Sequence, residues 1–535
     1  MGVAGLLSFL REHFPASFVD RPSAKASATD CDHLYIDMNS MLHQVVRQAR
    51  DEWDALRRLR DMLHELTWLE HRPRATLTLA LDGPAPLAKL HEQQQRRLSK
   101  GLQQQKTHQR GCSSLAVTVG TAFMRDVDAA VREWAESNAR RLDARGQPRY
   151  GAIVFDPSSH AGEGEVKLFG HLGRRCSWSD GEREHATHLV LSGDADLILL
   201  ALASPARRIL ILDPSSSRAQ GGRLPRAFST EAFRRLLHPQ PGAALAPHAR
   251  PSGAPCPRDA AALDVVLLAL FSGNDYLRSP RGFKLLRAIR LYQSWLSSGG
   301  GGGGWLVSCD ARGTVHLDLP RLGHFLAALV KEGRGDAHDG EPDPDRSSGP
   351  TEAVPSVSAV CAHLSGLLWC LTMYVEGACP SYAWLLPTAQ PPATARVIEG
   401  GADGAVEVEQ QSTSGGGGEG GGAGAGARIG AGAGAGAGAG LASLAQMAAV
   451  LTSEDATVAR CLRELVRCPR SDAPPPSALE IPILVLPAAA AHLAIAPLRH
   501  LFAAGGELEH LFSYERCAKC ARYGEDHRAI HPVHT

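Results

Sequence analysis

Four short apolar runs, separated by longer helix-periodic segments, constrain the fold of this chain more than any other feature. The runs are residues 33–37 (HLYID), 75–82 (ATLTLALD), 150–156 (YGAIVFD) and 187–193 (THLVLSG). Helical periodicity fills the segments 39–71, 86–108, 121–145 and 163–175. Short apolar strands that alternate with helices are typical of a parallel sheet with helices on both faces. We therefore predict an α/β fold built on a parallel sheet.

Acidic residues stand at or just past the ends of these runs, or at the starts of helices. Ligands bind such folds at the carboxyl edge of the sheet, where strand ends meet. The candidates are Asp37, Asp82, Glu163, Glu165, Asp194, Asp196 and Asp275. A single acid there usually caps a helix or turns the backbone. Seven carboxylates at one edge repel strongly unless cations neutralise them. We therefore expect Mg²⁺ or Mn²⁺, of which a pair can activate water and stabilise a leaving oxygen.

Directly after Asp82, the segment 87–98 (LAKLHEQQQRRL) carries a basic helical face. Lys89, Gln93, Arg96 and Arg97 follow the spacing i, i+4, i+7 and i+8, which places them on one side of a helix. Such a face is often only solvated surface. Here it starts beside a candidate metal ligand, and Arg presents a fork of donors that suits phosphate oxygens. We predict a receptor for a terminal phosphate next to the metal centre.

Composition sets only weak limits on function. Lys plus Arg and Asp plus Glu both number 56, so the net charge is near zero. That balance argues weakly against a nucleic-acid-binding protein, but an enzyme with separate acidic and basic sites also sums to zero. The twelve cysteines are scattered, which indicates reduced thiols in an intracellular protein. We predict no membrane span and no leader peptide.

Several blocks of the sequence, taken together, resemble the XRN family of 5′→3′ exoribonucleases, within the wider FEN/PIN-like nuclease superfamily. In order, they are MGVAGLLSFL, LYIDMNSMLH, LALDGPAPLAKLHEQQQRR, TVGTAFM, AGEGEVKLFGHL, HLVLSGDADLILLAL and FSGNDYL. The resemblance covers roughly residues 1–285 and implies a PIN/FEN-like nuclease core. It implies that the seven acids bind two Mg²⁺ ions, and that Lys89, Gln93, Arg96 and Arg97 hold the 5′-monophosphate of RNA. It also implies that Asn39 supports the first metal ligand and that His43 stacks on a base.

A second region, residues 365–387 (SGLLWCLTMYVEGACPSYAWLLP), resembles a later block of the same family. Tyr382 stands where the family usually has Trp, and we expect Tyr382 and Trp384 to stack on RNA bases. For Trp369 we prefer a role in the core. Residues 481–502 resemble a further family segment loosely. The Pro-rich stretch after this block and the usual continuation of GNDYL depart from the family pattern, so the second region is shortened.

This resemblance gives a predicted domain division. It comprises a nuclease domain (1–295), a linker with a short structured island (296–358), the helical Trp block (359–395), a Gly/Ala linker (396–440), the rest of the second region (441–510) and a Cys/His tail (511–535). The tail contains Cys517 and Cys520 in CAKC and three later histidines. A structural zinc site there is the weaker of two interpretations, because no second paired motif stands at standard spacing.

The predicted function is hydrolysis of 5′-monophosphorylated single-stranded RNA to mononucleotides by a two-metal mechanism, in RNA turnover or processing. The partner is RNA, and the protein is expected to be monomeric and to work in the nucleus, the cytoplasm or both. Two alternatives remain open. One is a structure-specific flap endonuclease acting on DNA. The other is a non-catalytic RNA-binding relative, suggested by the shortened second region.

Overall fold

The computed structural model describes residues 3, 5–20, 29–90, 92–94, 96–97, 111–142, 146–213, 226–237, 259–297, 305–310, 313–335, 357–385 and 443–503. The predicted Gly/Ala linker and the Cys/His tail lie outside the described residues, and so does the proposed zinc site. The nine cysteines within the described ranges form no disulfide.

A seven-stranded sheet with the order β1-β7-β6-β5-β2-β3-β4 forms the centre of the fold. Its strands are β1 (Phe18–Asp20), β2 (Thr29–Asp37), β3 (His71–Ala80), β4 (Ala152–Asp156), β5 (Thr187–Leu191), β6 (Arg208–Leu212) and β7 (Arg226–Ser229). β4, β3, β2, β5 and β6 run parallel. The predicted parallel sheet is therefore confirmed. Two short strands extend one edge antiparallel, β7 on β6 and β1 on β7, and they are too short to give a periodic signal.

The helices that follow the strands are longer. They are α1 (Leu6–His13), α2 (Met38–Gln48), α3 (Glu52–His64), α4 (Ala122–Ala139), α5 (Gly164–Trp178), α6 (Asp180–Glu184), α7 (Asp196–Ala203), α8 (Thr230–Leu237), α9 (Ala260–Phe271), α10 (Leu285–Ser297), α11 (Leu319–Gly335), α12 (Val357–Glu376), α13 (Leu444–Leu451), α14 (Ala456–Leu465) and α15 (Glu480–Val485). Residues 87–90, 92–94, 96 and 97 are also helical and are called the basic helix. A small hairpin, β8 (Val307–Cys309) with β9 (Val315–Leu317), lies before α11.

The stretch 39–71 was predicted as one helical segment, and the structure divides it. Helix α2 ends at Gln48, and α3 begins after Asp51, whose side chain accepts a hydrogen bond of 2.8 Å from the backbone N–H of Asp54. A π-helical turn, Glu65–Glu70, then leads into β3. The first backbone N–H groups of a helix lack acceptors within the helix, and an N-cap side chain supplies one. The cap at Asp51 therefore marks the start of a new helix.

The sheet separates two hydrophobic cores, as helices on both faces require. Alternate residues of β2 point to opposite sides, with Leu34 and Ile36 in one core and Tyr35 in the other. Helices α2, α3 and α4 cover the Leu34 side, and α1, α5, α7 and α9 cover the Tyr35 side. Helix α9 is apolar all round and almost wholly buried, which is the pattern of a central helix.

The core on the Tyr35 side continues beyond the N-terminal half of the chain. It includes residues of β8, β9 and α11, then α12, α13 and α14, with Trp369 fully buried in α12. These parts bury apolar surface against the sheet-bearing part. The domain boundaries drawn from the sequence stay a prediction. The shared core joins the sheet-bearing part to helices α11 to α14.

Helix α12 is long and apolar enough, by length and composition, to cross a membrane. No span was predicted from the sequence. In the fold 78% of its most apolar window is buried inside the protein, where it contacts α9 and α14. Burial in the core accounts for its apolar composition, because helices buried on all sides are hydrophobic all round.

Two glycines of α5 give a matched test of how α5 meets the end of α12. A methyl group on Gly170 would lie 2.4 Å from the carbonyl oxygen of Gly377, whereas one on Gly173 would meet nothing within 4 Å. We expect Gly170→Ala to lower the free energy of unfolding by about 1–3 kcal/mol through overpacking. Gly173→Ala is expected to raise it by roughly 0.5–1 kcal/mol, because alanine favours the helix. Urea denaturation measures both, and equal effects of the two changes would contradict the close approach.

Candidate functional site

The candidate acids gather at the carboxyl edge of the parallel strands. Asp37 is the last residue of β2, Asp82 follows β3 by two residues, and Asp194 follows β5 by three. Glu163 is the N-cap of α5, Glu165 lies in its first turn, and Asp196 is the first residue of α7. Asp275 differs from the expectation. It lies in the loop after helix α9, beyond neither a strand end nor a helix start, and tertiary folding alone brings that loop to this edge.

Asn39 connects two of the acids. Its backbone N–H donates to Asp37 Oδ1 at 3.0 Å, and its side-chain oxygen accepts a hydrogen bond of 3.0 Å from the backbone N–H of Asp82. The other side of Asp82 is fixed by the backbone N–H of Gly164, 2.7 Å from Oδ1. These bonds hold the carboxylate of Asp37 and the backbone and carboxylate of Asp82 in place. The supporting role of Asn39 stays a prediction.

Two further contacts were missed by sequence reasoning. The hydroxyl of Ser192 donates to Asp37 Oδ2 at 2.8 Å and accepts from the backbone N–H of Asp194 at 3.1 Å. The backbone N–H of Val3 donates to Asp196 Oδ1 at 2.9 Å, across 193 residues of chain. A contact made by a backbone N–H cannot be read from residue types. Ser192, in contrast, lies two residues before Asp194, within the block HLVLSGDADLILLAL.

The carboxylates raise one another's pKa values. Burial, followed by the charge of Asp82, raises the pKa of Asp37 to about 7. Burial and the neighbouring Asp194 raise the pKa of Asp196 to about 7 as well. For Glu165 burial and Asp194 raise the pKa well above its usual range. The acids are therefore near enough to repel, and a site of this kind gains stability from added positive charge.

The basic helix supplies part of that positive charge. Lys89 Nζ contacts Glu163 Oε2 and lies 3.1 Å from Asp275 Oδ2. Arg96 Nη2 lies 3.2 Å from Asp275 Oδ1. Burial by itself would lower the pKa of Lys89, but Glu163 and Asp275 raise it well above the usual range, so the ammonium group stays charged. The predicted adjacency of the acidic and basic motifs is present in the structure.

The remaining two members of the basic face contact each other. Arg97 Nη1 donates to Gln93 Oε1 at 3.3 Å, and Arg97 Nε donates to the hydroxyl of the fully buried Thr118 at 2.9 Å. Thr118 belongs to the loop before α4, so the guanidinium is anchored from outside its own helix. Burial lowers the pKa of Arg97 to about 10, which still leaves it charged at neutral pH.

Comparison with known proteins finds a family match in the N-terminal part of the chain. Residues 1–214 match the XRN 5′-3′ exonuclease N-terminus. These residues are an XRN N-terminal domain. The chain is 26% identical over 226 residues to 5′-3′ exoribonuclease 2 of Cryptococcus neoformans, which covers 36% of this chain and 19% of the relative. It is 24% identical over 232 residues to 5′-3′ exoribonuclease 1 of Saccharomyces cerevisiae, covering 40% of this chain and 15% of the relative.

A longer match joins it to 5′-3′ exoribonuclease 2 of Yarrowia lipolytica, with 25% identity over 326 residues, 50% of this chain and 30% of the relative. The chain thus spans less than a third of the length of these relatives. Among solved structures, the catalytic core of Rad2 in complex with a DNA substrate is similar at a TM-score of 0.30 and 14% identity, covering 54% of this chain and 69% of that one. Over residues 1–214, the family resemblance drawn from the sequence motifs is confirmed by the family match.

Tyr276, in the GNDYL motif after α9, is a part of the site that sequence reasoning passed over. Its hydroxyl donates to Glu163 Oε1, and its ring lies 5.8 Å from Lys89 Nζ. The same ring packs edge-on against Trp369, with 5.1 Å between ring centroids. Tyr276 therefore ties the XRN domain's acidic edge to helix α12. The aromatic residue next to Asp275 was the available signal.

The predicted base-stacking residues lie around the XRN domain in different ways. The carbonyl oxygen of Tyr382 accepts a hydrogen bond of 2.9 Å from Leu87 N–H at the start of the basic helix. Trp384 is half-buried and stacks on Trp369, with 4.8 Å between centroids. His43 lies on α2, one turn beyond Asn39 and partly exposed. The preferred core role of Trp369 agrees with its full burial.

The segment after the Gly/Ala repeat supports the basic helix from behind. Leu87 and Leu90 share a small core with Ile481, Leu484 and Val485 of α15. This contact fixes the apolar side of the helix whose other side carries Lys89. Sequence reasoning gave this segment only a loose resemblance, since no motif in it carries polar chemistry.

The donor chemistry of this edge suits hard divalent cations, because all seven candidates offer carboxylate oxygens. Within the described ranges, however, no three His, Cys, Asp or Glu side chains already stand as a group that could hold one ion. The four oxygens of Glu163 and Asp275 face Lys89, Arg96 and Tyr276 instead. Binding of a metal ion there requires these partners to give way.

Proposed function

We propose that this protein is a 5′→3′ exoribonuclease that degrades 5′-monophosphorylated RNA to mononucleotides. The observation that carries the proposal is the contact between the basic helix and the acidic edge, through Lys89 to Glu163 and Asp275. A phosphate on the basic helix lies next to the acids, so the first phosphodiester of a bound strand reaches them. The relatives to which the chain is similar are named 5′-3′ exoribonucleases, which supports the same reaction.

The residues divide into three tasks under this proposal. The acids Asp37, Asp82, Glu163, Glu165, Asp194, Asp196 and Asp275 would hold two divalent ions. Bound there, the ions supply a reactive water and stabilise the leaving oxygen. Arg96, Arg97, Gln93 and Lys89 bind and orient the 5′-phosphate, and Asn39 and Ser192 keep Asp37 in place. The rings of His43, Tyr382 and Trp384 stack on bases, which gives little sequence preference.

Mg²⁺ as the ion, a single chain as the active form, and a role in nuclear or cytoplasmic RNA turnover are part of the same proposal. A flap endonuclease acting on DNA is the second candidate. The basic helix next to the acids favours the exoribonuclease, because its Lys and Arg side chains suit a terminal phosphate. A flap endonuclease must instead admit a duplex junction at this place.

The test is a degradation assay on one labelled RNA carrying either a 5′-monophosphate or a 5′-triphosphate, with Mg²⁺ or EDTA. We expect Mg²⁺-dependent loss of the monophosphate RNA alone, with release of mononucleotides. RNA binding without degradation would replace the proposal with the non-catalytic relative. Cleavage of a branched DNA and not of RNA would favour the flap endonuclease.

The phosphate pocket has its own prediction. Replacing Arg96 and Arg97 together by Gln removes two charge-assisted contacts, so kcat/KM for the monophosphate RNA is expected to fall about 10–100-fold. The preference over a 5′-hydroxyl RNA should disappear with it. Arg140→Gln is the matched control, since Arg140 is exposed at the far end of α4. A preference that survives the double change would remove these arginines from the pocket.

A further inference from the structure

The carboxylates of Glu163 and Asp275 are held entirely by partners from this chain. Glu163 Oε1 accepts from the hydroxyl of Tyr276, and Glu163 Oε2 accepts from Lys89. Asp275 Oδ2 lies 3.1 Å from Lys89 Nζ, and Asp275 Oδ1 lies 3.2 Å from Arg96 Nη2. Lys89 therefore bridges the two acids, in the manner of a bound cation.

This bridge is sheltered from water. The side chains of Glu163 and Asp275 are each 6% exposed and that of Lys89 is 14% exposed. At such burial an ion pair is attractive, and an unpaired carboxylate is costly. The charges of Glu163 and Asp275 are thus balanced by the ammonium and by Arg96, which also contacts Glu92.

Under the proposed function, the two acids and the two basic residues each have a ligand other than one another. It assigns Glu163 and Asp275 to divalent ions, and it assigns Lys89 and Arg96 to the 5′-phosphate. A cation that arrives at the acids must displace the ammonium from them. A phosphate that draws Lys89 and Arg96 away leaves the same carboxylates without counter-charge. Each ligand therefore removes the obstacle to the other.

We propose that Lys89 and Arg96 are internal counterions that couple divalent-ion binding to 5′-phosphate binding. This inference rests on the proposed function and adds a regulation of the same site. In the free protein the two basic residues neutralise the acids. With a 5′-phosphate present they move to it, and the acids become available to metal. Because such coupling is reciprocal, metal must also tighten phosphate binding by the same factor, typically about 5–150-fold.

A direct contact between the metal and the phosphate would also couple the two ligands, and a variant separates the two causes. Lys89→Met removes the bridging ammonium but leaves the seven acids. If Lys89 obstructs metal binding, this variant binds the divalent ion more tightly than the natural protein when no phosphate is present. Direct metal–phosphate contact alone predicts no such gain.

The experiment is isothermal titration calorimetry of Mn²⁺ into the full chain, with and without adenosine 5′-monophosphate as the probe. For the natural sequence we expect the probe to lower the Kd for Mn²⁺ by about 5–150-fold. For Lys89→Met we expect a lower Kd than the natural protein without probe, and a smaller response to it. Arg96→Gln should also lower the Kd for Mn²⁺. It replaces Lys89→Met in the experiment if Lys89→Met fails to fold.

Arg140→Gln is the matched control, because Arg140 is exposed at the far end of α4, outside the proposed site. It should leave unchanged both the Kd for Mn²⁺ and the response of that Kd to the probe. The coupling is overturned if the natural protein binds Mn²⁺ and hydrolyses RNA, but Lys89→Met and Arg96→Gln both bind Mn²⁺ with the same Kd as the natural protein. A natural protein that neither binds Mn²⁺ nor hydrolyses RNA overturns the proposed function itself.

Discussion

Replacing Asp194 or Asp196 by Asn is expected to lower RNA hydrolysis by about 10²–10³-fold, while RNA binding stays close to that of the natural protein. Each change removes a negative charge from the edge where divalent ions are proposed to bind. Electrostatic stabilisation of the reacting centre is usually the largest contribution to catalysis, and losing a single group costs about 10²–10³-fold. The basic helix and the aromatic rings, which are proposed to bind the strand, are untouched.

The loss of activity should not reflect unfolding. Burial and Asp194 raise the pKa of Asp196 from 3.8 to about 7, so the folded state holds this proton more tightly than the unfolded chain. Without metal, Asp196 therefore costs stability as the pH rises from about 4 towards 7. Neutral Asn at this position avoids that cost, and we expect Asp196→Asn to be at least as stable as the natural protein at pH 7.5.

Single-turnover hydrolysis and filter binding of the same RNA are the measurements, with thermal unfolding alongside. Asp455→Asn is the matched control. Asp455 caps α14 in an exposed position, and Asn caps helices equally well, so activity and stability should both be kept. Natural rates of hydrolysis in the Asp194 and Asp196 variants would refute their place in the reaction.

The second large effect is on stability. Trp369→Ala is expected to lower the free energy of unfolding by about 3–5 kcal/mol, the usual cost of emptying a large buried site. Trp369 is fully buried, and its ring lies between Tyr276 and Trp384, at 5.1 and 4.8 Å between centroids. Because the Tyr276 hydroxyl donates to Glu163, the cavity also loosens the acidic edge. Hydrolysis should therefore fall along with stability.

Two other tryptophans calibrate this result. Trp53 is 70% exposed on α3, so Trp53→Ala should change the free energy of unfolding by less than about 0.5 kcal/mol. Trp384→Ala should fall between the two, since Trp384 is half-buried, and it should weaken RNA binding more than Trp369→Phe does. Urea denaturation distinguishes these outcomes. If Trp369→Ala proved as mild as Trp53→Ala, α12 would not belong to the core that supports the site.

Much of the framework could be predicted because it depends on local sequence. The four apolar runs became β2, β3, β4 and β5, since alternating or continuous apolar residues at that length favour strands. Their acids met at one edge because parallel neighbours share a direction. The basic face of residues 89–97 was visible because helical spacing needs only the chain itself.

Other features depended on contacts between distant residues. The antiparallel strands β1 and β7 are three and four residues long. β1 pairs with β7, and β7 also pairs with β6, so both depend on partners far away along the chain. Asp275 reaches the site from a loop after α9, and Val3 reaches Asp196 across most of the XRN domain. The hydrophobic periodicity of the sequence does not predict such long-range contacts.

The sequence by itself determined the class of fold, the XRN resemblance and the two sets of charged residues, one acidic and one basic, because each depends on residues close together along the chain. It predicted that the two sets lie side by side, and only the tertiary structure decided which side chains contact each other. Lys89 contacts Glu163, and Arg96 contacts Asp275, in pairs whose members lie more than 70 residues apart along the chain. Burial favours such pairing, because an unpaired buried charge is costly. That pairing, rather than either motif alone, led to the proposed coupling of metal and phosphate.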